Sequence, residues 1–409
     1  MPASSIAVRW QVVLAVALAL AVSTTDPARA EPASACGAAA TPVHAIQGVG
    51  RSSPLRGLEV TVEAVVVASF PGLPRGLGGF FLQEEDADAD ADPRTSEGLF
   101  VFDEGLGADL VPGERVRTTG RVSEFFGLTE LSQLRALETC PPGGRASALE
   151  IQLPVDSPDA WERWEGMRVR LEQPLRVTGH ADLVRHGELE LAAGARLWQP
   201  THREAPGAAA NELEQRNARR RILLDDGSDS LNPDPPPYLW RNDGGSLRLQ
   251  DRLHRLEGVL DYAFGRFRIH PTAPVAFEPG EPRPRHPPVV PGTLRVVAWN
   301  VHDHFNGDGR GGGFPTRGAS DPAELERQRA KLVATLVALE PDVALLSELE
   351  NDGVGPDSAL TQLSRSLSRA APGAPYLPVD PGQTRLGGQA IAVGMLYRPS
   401  AVFPLPQPM

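Results

Sequence analysis

Asn300 and Glu348 each sit at the close of a strand-forming run, LRVVAWN for the first and DVALLSELEN for the second. A carboxylate with a neighbouring amide suits a hard, oxygen-seeking cation such as Mg²⁺ or Mn²⁺. An ion held this way can neutralise developing charge on a phosphoester. A second set of acids alternates as Asp86, Asp88, Asp90 and Asp92, and Glu97 falls at the twelfth position counted from Asp86. That is much of the spacing of a Ca²⁺ loop. Its sixth position is Ala91 where such a loop requires Gly, and no helical pattern flanks it. A solvated acidic loop of repelling carboxylates is the alternative reading.

The elements that must position Asn300 and Glu348 are well punctuated. Asp321 is an N-cap, Pro322 suits the first helical position, and Glu324 lies three residues after the cap. Leu325, Leu332, Leu336 and Leu339 then recur on one helical face. A strand–helix–strand unit of this length implies a right-handed crossover between neighbouring parallel strands. Asn300 and Glu348 then emerge at one edge of one sheet. His302 and His304 lie beside a Gly-rich stretch and read as loop histidines, since a general base must also meet geometry.

These residues resemble the opening of the endonuclease/exonuclease/phosphatase superfamily, the fold of deoxyribonuclease I, in its secreted multidomain bacterial nucleases. The resemblance is carried by NVHDHFNGDGRGGG, by ASDPAELERQRAKLVATLVALEPDVALLSELENDG and by AIAVGMLYRPSAV. It implies catalytic and metal-binding roles for Asn300 and Glu348, with Mg²⁺ or Mn²⁺ as cofactor. It also implies a phosphate contact for Tyr397 in the YRP segment, with a core-edge tyrosine as the alternative. In the family the catalytic domain is a four-layer sandwich about twice the length of 294–409. Its second half supplies two histidines, an Asp–Asn pair and a final Asp–His pair, and those motifs do not follow here. The expectation is the first half of that domain, with catalysis requiring the missing C-terminal half from a longer chain or in trans.

Upstream, residues 41–140 contain five strand-like runs, which fit a small barrel of the oligonucleotide/oligosaccharide-binding (OB) type. The order IQGVGRSSPLRG, GFFLQEEDADADADPRTSEGLFVF, GRVSEFFGLTEL resembles the module that precedes the catalytic part in the same nucleases. Phe80, Phe125 and Phe126 could stack on bases or fill a half-buried core. Residues 141–277 form a second β-rich module, resembling the region between barrel and catalytic domain in those nucleases. Its cluster Arg219, Arg220 and Arg221 could contact phosphates or serve the structure beside Asp225 and Asp226. Residues 278–293 are a Pro-rich linker. The fold expected is mainly β plus α/β: two OB-type barrel-like modules, then the first half of a four-layer α/β sandwich.

Composition sets the surroundings. Arg9, the apolar run 12–22 and the Ala28-Arg29-Ala30 site read as a signal peptide spanning 1–30. That run is too short to span a bilayer, and no later stretch is membrane-length, so a secreted or periplasmic protein without a membrane partner is expected. An exported chain with two cysteines, Cys36 and Cys140, invites a disulfide, against two buried thiols. A net charge of −12 is unhelpful to a general nucleic-acid binder, though a bound metal can supply local positive charge. The function expected is a secreted metal-dependent nuclease cutting extracellular DNA, with RNA a further substrate class. The alternative is a non-catalytic extracellular binder of nucleic acid or another polymer, carrying a degenerate nuclease domain.

Overall fold

The computed structural model describes residues 35–405 except 104, 282, 283 and 285. The expected signal segment, 1–30, lies outside the described residues. The chain divides into two compact units, Met1–Glu281 and Pro282–Met409, and the division falls within the Pro-rich 278–293 segment. The architecture is mainly β with few helices. No helix among the described residues is long and apolar enough to cross a membrane.

The first unit opens with a short helix, α1 (Val43–Gln47), and a closed five-stranded barrel. Its strands are β1 (Glu59–Phe70), β2 (Gly79–Gln83), β3 (Gly98–Phe102), β4 (Arg115–Phe125) and β5 (Leu128–Thr139). They close in the order β1-β2-β3-β5-β4, with β3 and β5 parallel and the other pairs antiparallel. Alternation along β1 sends Val60, Val62, Ala64 and Val66 into the barrel core, where Val43 and Ile46 of α1 join them. A Cys36–Cys140 disulfide, Cα–Cα 5.7 Å, ties the segment before α1 to the residue after β5.

Eight further strands follow: β6 (Leu149–Glu150), β7 (Arg168–Leu171), β8 (Leu175–Gly179), β9 (Leu189–Ala193), β10 (Arg221–Leu224), β11 (Arg252–Leu253), β12 (Leu256–Ala263) and β13 (Arg266–Pro271). Helices α2 (Leu183–His186) and α3 (Ala208–Ala218) interrupt them. The expectation of a second barrel is corrected here. These strands form one sheet, ordered β11-β8-β9-β10-β13-β12-β7-β6. Its end strands β11 and β6 have two residues each, too short to carry a ladder on to closure.

The barrel and this sheet are not independent beads. Val65, Val67 and Ala68 of β1, with Phe81 and Phe100, point out of the barrel and share a separate core with Val259 of β12. That explains why the second half of β1 and all of β2 are buried on both faces. Backbones touch at Gly98, where an added Cβ would lie 2.1 Å from the Gly166 carbonyl carbon. Around that contact Ser96 Oγ donates to the Glu165 carbonyl (2.6 Å) and the Thr129 N–H to Glu165 Oε1 (2.9 Å).

The second unit is a four-stranded sheet with two helices: β14 (Val296–His304), α4 (Pro322–Leu339), β15 (Val343–Glu350), α5 (Ala359–Ala370), β16 (Leu377–Pro378) and β17 (Ile391–Tyr397). The order is β14-β15-β17-β16, with β14 and β15 parallel and β17 antiparallel to β15. Asp321 caps α4, its carboxylate accepting from the Glu324 N–H at 2.8 Å. Glu324 returns a bond from the Ser320 N–H (2.7 Å), so two otherwise orphan donors are satisfied. Leu332 and Leu336 of α4 pack with Leu360, Leu363 and Leu367 of α5 against Val301, Ala344, Leu346 and Leu396 of the sheet. Residues alternating away from that core, such as Val296 and Val393, are exposed.

Candidate functional site

The crossover from β14 through α4 to β15 brings Asn300 and Glu348 to one edge of the sheet. Asn300 Nδ2 donates to Glu348 Oε1 at 2.7 Å. Asn300 Oδ1 accepts the His302 N–H at 2.8 Å. Both polar ends of the amide are thus engaged within the chain. Asn300 orients Glu348, and Glu348 Oε2 is the oxygen left to face a ligand. Both strands leave regular pairing here, with register shifts between Asn300 and His304 and between Leu346 and Leu349. Glu348 (φ 62°), His302 (φ 59°) and Asp303 (φ 52°) all take left-handed conformations. Such backbone costs free energy and clusters at sites where it re-aims side chains. One oriented carboxylate fits Mg²⁺, which binds through one or two carboxylates and keeps waters or phosphate oxygens elsewhere.

The neighbouring histidines belong to β14 rather than a loop. His302 is exposed. His304 is buried, with Nδ1 3.1 Å from Gln328 Oε1, and burial pushes its pKa down. Tyr397 is not brought to the pair. It is opposite Val343, at the far end of β15 from Glu348, roughly 16 Å away at about 3.3 Å per residue. The antiparallel direction of β17 is the reason. Among the described residues Glu348 joins no group of three metal-ligating side chains.

The acidic loop does not gather around one point. Asp86 accepts from Ser147 N (2.7 Å) and Oγ (2.6 Å). Asp90 accepts from the Asp92 N–H and Thr95 Oγ1. Asp92 pairs with Arg94, whose hydrogen bonds hold its carboxyl down at about 2. Asp88 has no side-chain partner among these bonds. Glu97 turns inward, toward His44 and Glu84, and burial with the adjacent Glu84 pushes it up to about 8. Glu84 faces Glu97 across the β2–β3 hairpin, with the Glu84 N–H donating to the Glu97 carbonyl at 3.0 Å, whereas His44 is distant along the chain and reaches them only when α1 packs onto the barrel.

The remaining sequence candidates separate cleanly. Phe80 is barrel core, whereas Phe125 and Phe126 are exposed. Phe126 is 84% exposed at φ 51°, ahead of Gly127 in the β4–β5 turn. Phe264 repeats this at 84% and φ 52°, ahead of Gly265 in the β12–β13 turn. The two-residue turns have φ > 0 at both positions, the type normally filled by Asn-Gly. A Cβ on Gly127 would lie 2.9 Å from the Tyr262 ring, so the first turn rests on the strand that carries the second. Arg219 and Arg220 donate to the carbonyls of Val155, Ala193 and Ala195, and Arg221 pairs with Glu214. They serve the fold.

A model of a family described as Domain of unknown function (DUF8508) matches residues 138–279, the eight-stranded sheet region. No curated protein matches the chain. Among solved structures, the chain is similar to a deletion mutant of the single-stranded DNA binding protein from Thermus aquaticus. The two are 15% identical, with 56% of this chain and 99% of that chain covered, at a TM-score of 0.18.

Proposed function

We propose that this chain belongs to a metal-dependent phosphodiesterase acting on nucleic acid, an exported nuclease. The observation that carries the reading is the Asn300–Glu348 pair at 2.7 Å, built on left-handed backbone at the edge of two parallel strands. Glu348 would hold Mg²⁺ or Mn²⁺, and Asn300 would fix the carboxylate's orientation. An ion there would supply charge neutralisation for the scissile phosphate. A single carboxylate does not align a water, so hydrolysis calls for further groups from a longer chain or a second polypeptide in trans. The strand order of the barrel supports the OB-type reading, and the Cys36–Cys140 disulfide supports an oxidising, extracytoplasmic compartment.

The test, made with a preparation that supplies those further groups, is nicking of supercoiled plasmid with Mg²⁺, with EDTA, and with Glu348→Ala. Cleavage lost in both of the latter supports the reading; cleavage equal in the variant overturns it.

A second reading rests on a different observation. Phe126 and Phe264 are presented, largely exposed, by two neighbouring hairpin turns, Phe126 edge-on to Phe125 and Phe264 beneath the Arg268 guanidinium. Exposed rings of this kind can stack on unpaired bases. Single-stranded DNA binding that survives EDTA and Glu348→Ala but falls in Phe126→Ala would favour a non-catalytic nucleic-acid-binding protein.

A further inference from the structure

We propose that His44, Glu84 and Glu97 form a site for one divalent first-row transition ion, of which Zn²⁺ is the probe, independent of Glu348. Three donors of mixed type converge. His44 Nδ1 lies 2.9 Å from Glu84 Oε2 and 3.4 Å from Glu97 Oε2, and all three ligand atoms fall within 4.8 Å of one another. An ion at about 2.1 Å from each donor, with angles of about 90–110°, requires donor spacings of about 3.0–3.4 Å. The two nitrogen–oxygen separations lie close to that range, and the two carboxylate oxygens lie within 4.8 Å of each other.

The carboxylates are also oriented from outside the cluster. Glu84 Oε1 accepts the Val43 N–H at 2.7 Å, and Glu97 Oε1 accepts the Asp90 N–H at 2.9 Å. Each acid therefore has one oxygen pinned by backbone and the other turned toward the imidazole. Fixing the far oxygen in this way is how ligating carboxylates are held ready. Glu84 and Glu97 are both buried side by side, so ionising both away from water is costly. A cation between them removes that conflict. His44 is half-buried, which leaves one side for a water ligand and for access.

The donor chemistry selects the ion. An imidazole nitrogen with two carboxylates suits Zn²⁺, Mn²⁺ or Co²⁺ better than Ca²⁺, which prefers an all-oxygen shell. The bound ion would clip α1 to the β2–β3 loop, because His44 comes from the helix and the two acids from the strand ends. Gln47 already reinforces that seam, its Nε2 donating to the Gly98 carbonyl at 2.6 Å.

The experiment uses the full chain carrying Glu348→Ala, so that uptake at the sheet edge does not contribute. Metal-free protein is dialysed against Zn²⁺ and assayed for bound metal, with Co²⁺ as a visible-absorbing replacement. One Zn²⁺ per chain, a higher Tm with metal, and affinity at least about tenfold weaker in both His44→Ala and Glu97→Gln are expected. Absence of stoichiometric uptake overturns the proposal, as does uptake unchanged by Glu97→Gln. Glu97→Gln keeps the Oε1 acceptor for Asp90 and so stays informative if His44→Ala fails to fold. Uptake of Ca²⁺ with none of Zn²⁺ also overturns it.

Discussion

The first unit encloses a network of charged groups, whereas the second displays the pair on which the proposed chemistry depends. In the first, His270 is fully buried between Asp225 and Asp261, with Nε2 2.9 Å from Asp261 Oδ2 and Nδ1 3.3 Å from Asp225 Oδ1. Burial disfavours the imidazolium, but Asp225 and Asp261 outweigh it and push His270 up to about 10. Arg268 bridges the same Asp225 to Glu188. In the second, Asn300 is exposed and Glu348 half-exposed, and what holds them is backbone curvature and two hydrogen bonds. Charges locked in a core answer to mutation through stability. Charges at an open edge answer through activity.

The largest effect expected from this contrast is on stability. His270→Ala should cost about 3–5 kcal/mol, because it leaves Asp261 buried without its cation and Asp225 with Arg268 alone. Urea unfolding of the full chain measures it. A cost under about 1 kcal/mol would show that water reaches Asp225 and Asp261 and that the network is not a closed one.

The counterpart is Glu348→Ala. Cleavage by a preparation competent for it should fall about 10²–10³-fold, while stability changes by no more than about 0.5 kcal/mol. Asn300→Ala should be milder, about 10–100-fold in metal affinity, and recoverable at high Mg²⁺ because Glu348 remains. Loss in Asn300→Ala that excess metal does not restore would make Asn300 more than a positioning residue.

The same contrast governs what can be read from the sequence. The cap Asp321, the Pro322–Glu324 start and the leucine spacing specify α4 locally, and a strand on each side of it is enough to bring Asn300 to Glu348. The five barrel strands and the Cys36–Cys140 bridge follow from alternation and from cysteine arithmetic. Tyr397 is different: its strand is legible, but its distance from Glu348 depends on β17 running antiparallel, which side-chain pattern does not encode. The second module reads as another barrel because its strands have the same composition. Only the two-residue lengths of β6 and β11 leave it open. Glu84 and Glu97 meet across the β2–β3 hairpin and His44 joins them from α1, so spacing along the acidic loop groups Glu97 with the wrong acids.

A third prediction concerns a buried acid without a cation. Glu165 is fully buried at the Gly98–Gly166 contact, and burial, then Glu162, raise its pKa well above the ordinary value. Glu124 and Asp261 add in the same sense, while the Thr129 N–H opposes. The folded chain therefore holds a proton that the unfolded chain releases near pH 4.3. The stability tied to that proton is complete below about pH 4 and is lost as pH rises through the folded pKa, with a slope of up to about 1.4 kcal/mol per pH unit. Glu162, up at about 7, acts with the same sign. Glu165→Gln keeps the acceptor for Thr129 and carries no charge. It should flatten the decline that begins above about pH 4.3 and leave the variant more stable at the upper end of the range. Equal slopes in denaturation series of the two proteins would place the proton elsewhere.

The smallest expected effect tests where display and stability part company inside the first unit. Phe126 and Phe264 occupy turn positions that Asn fills with less strain, since a bulky side chain at φ > 0 is disfavoured by roughly 1–2 kcal/mol. If packing were the reason for these rings, Phe126→Asn would destabilise. Because both rings are 84% exposed, the substitution should leave Tm unchanged or raise it, by up to about 1 kcal/mol of stability. Oligonucleotide binding, followed by fluorescence anisotropy, should weaken by about 1–3 kcal/mol per lost stacking partner. A gain in stability with a loss of binding identifies the turns as contact points kept despite their backbone cost. A loss of stability with binding intact would return them to the fold, and the base-stacking reading would fall with them.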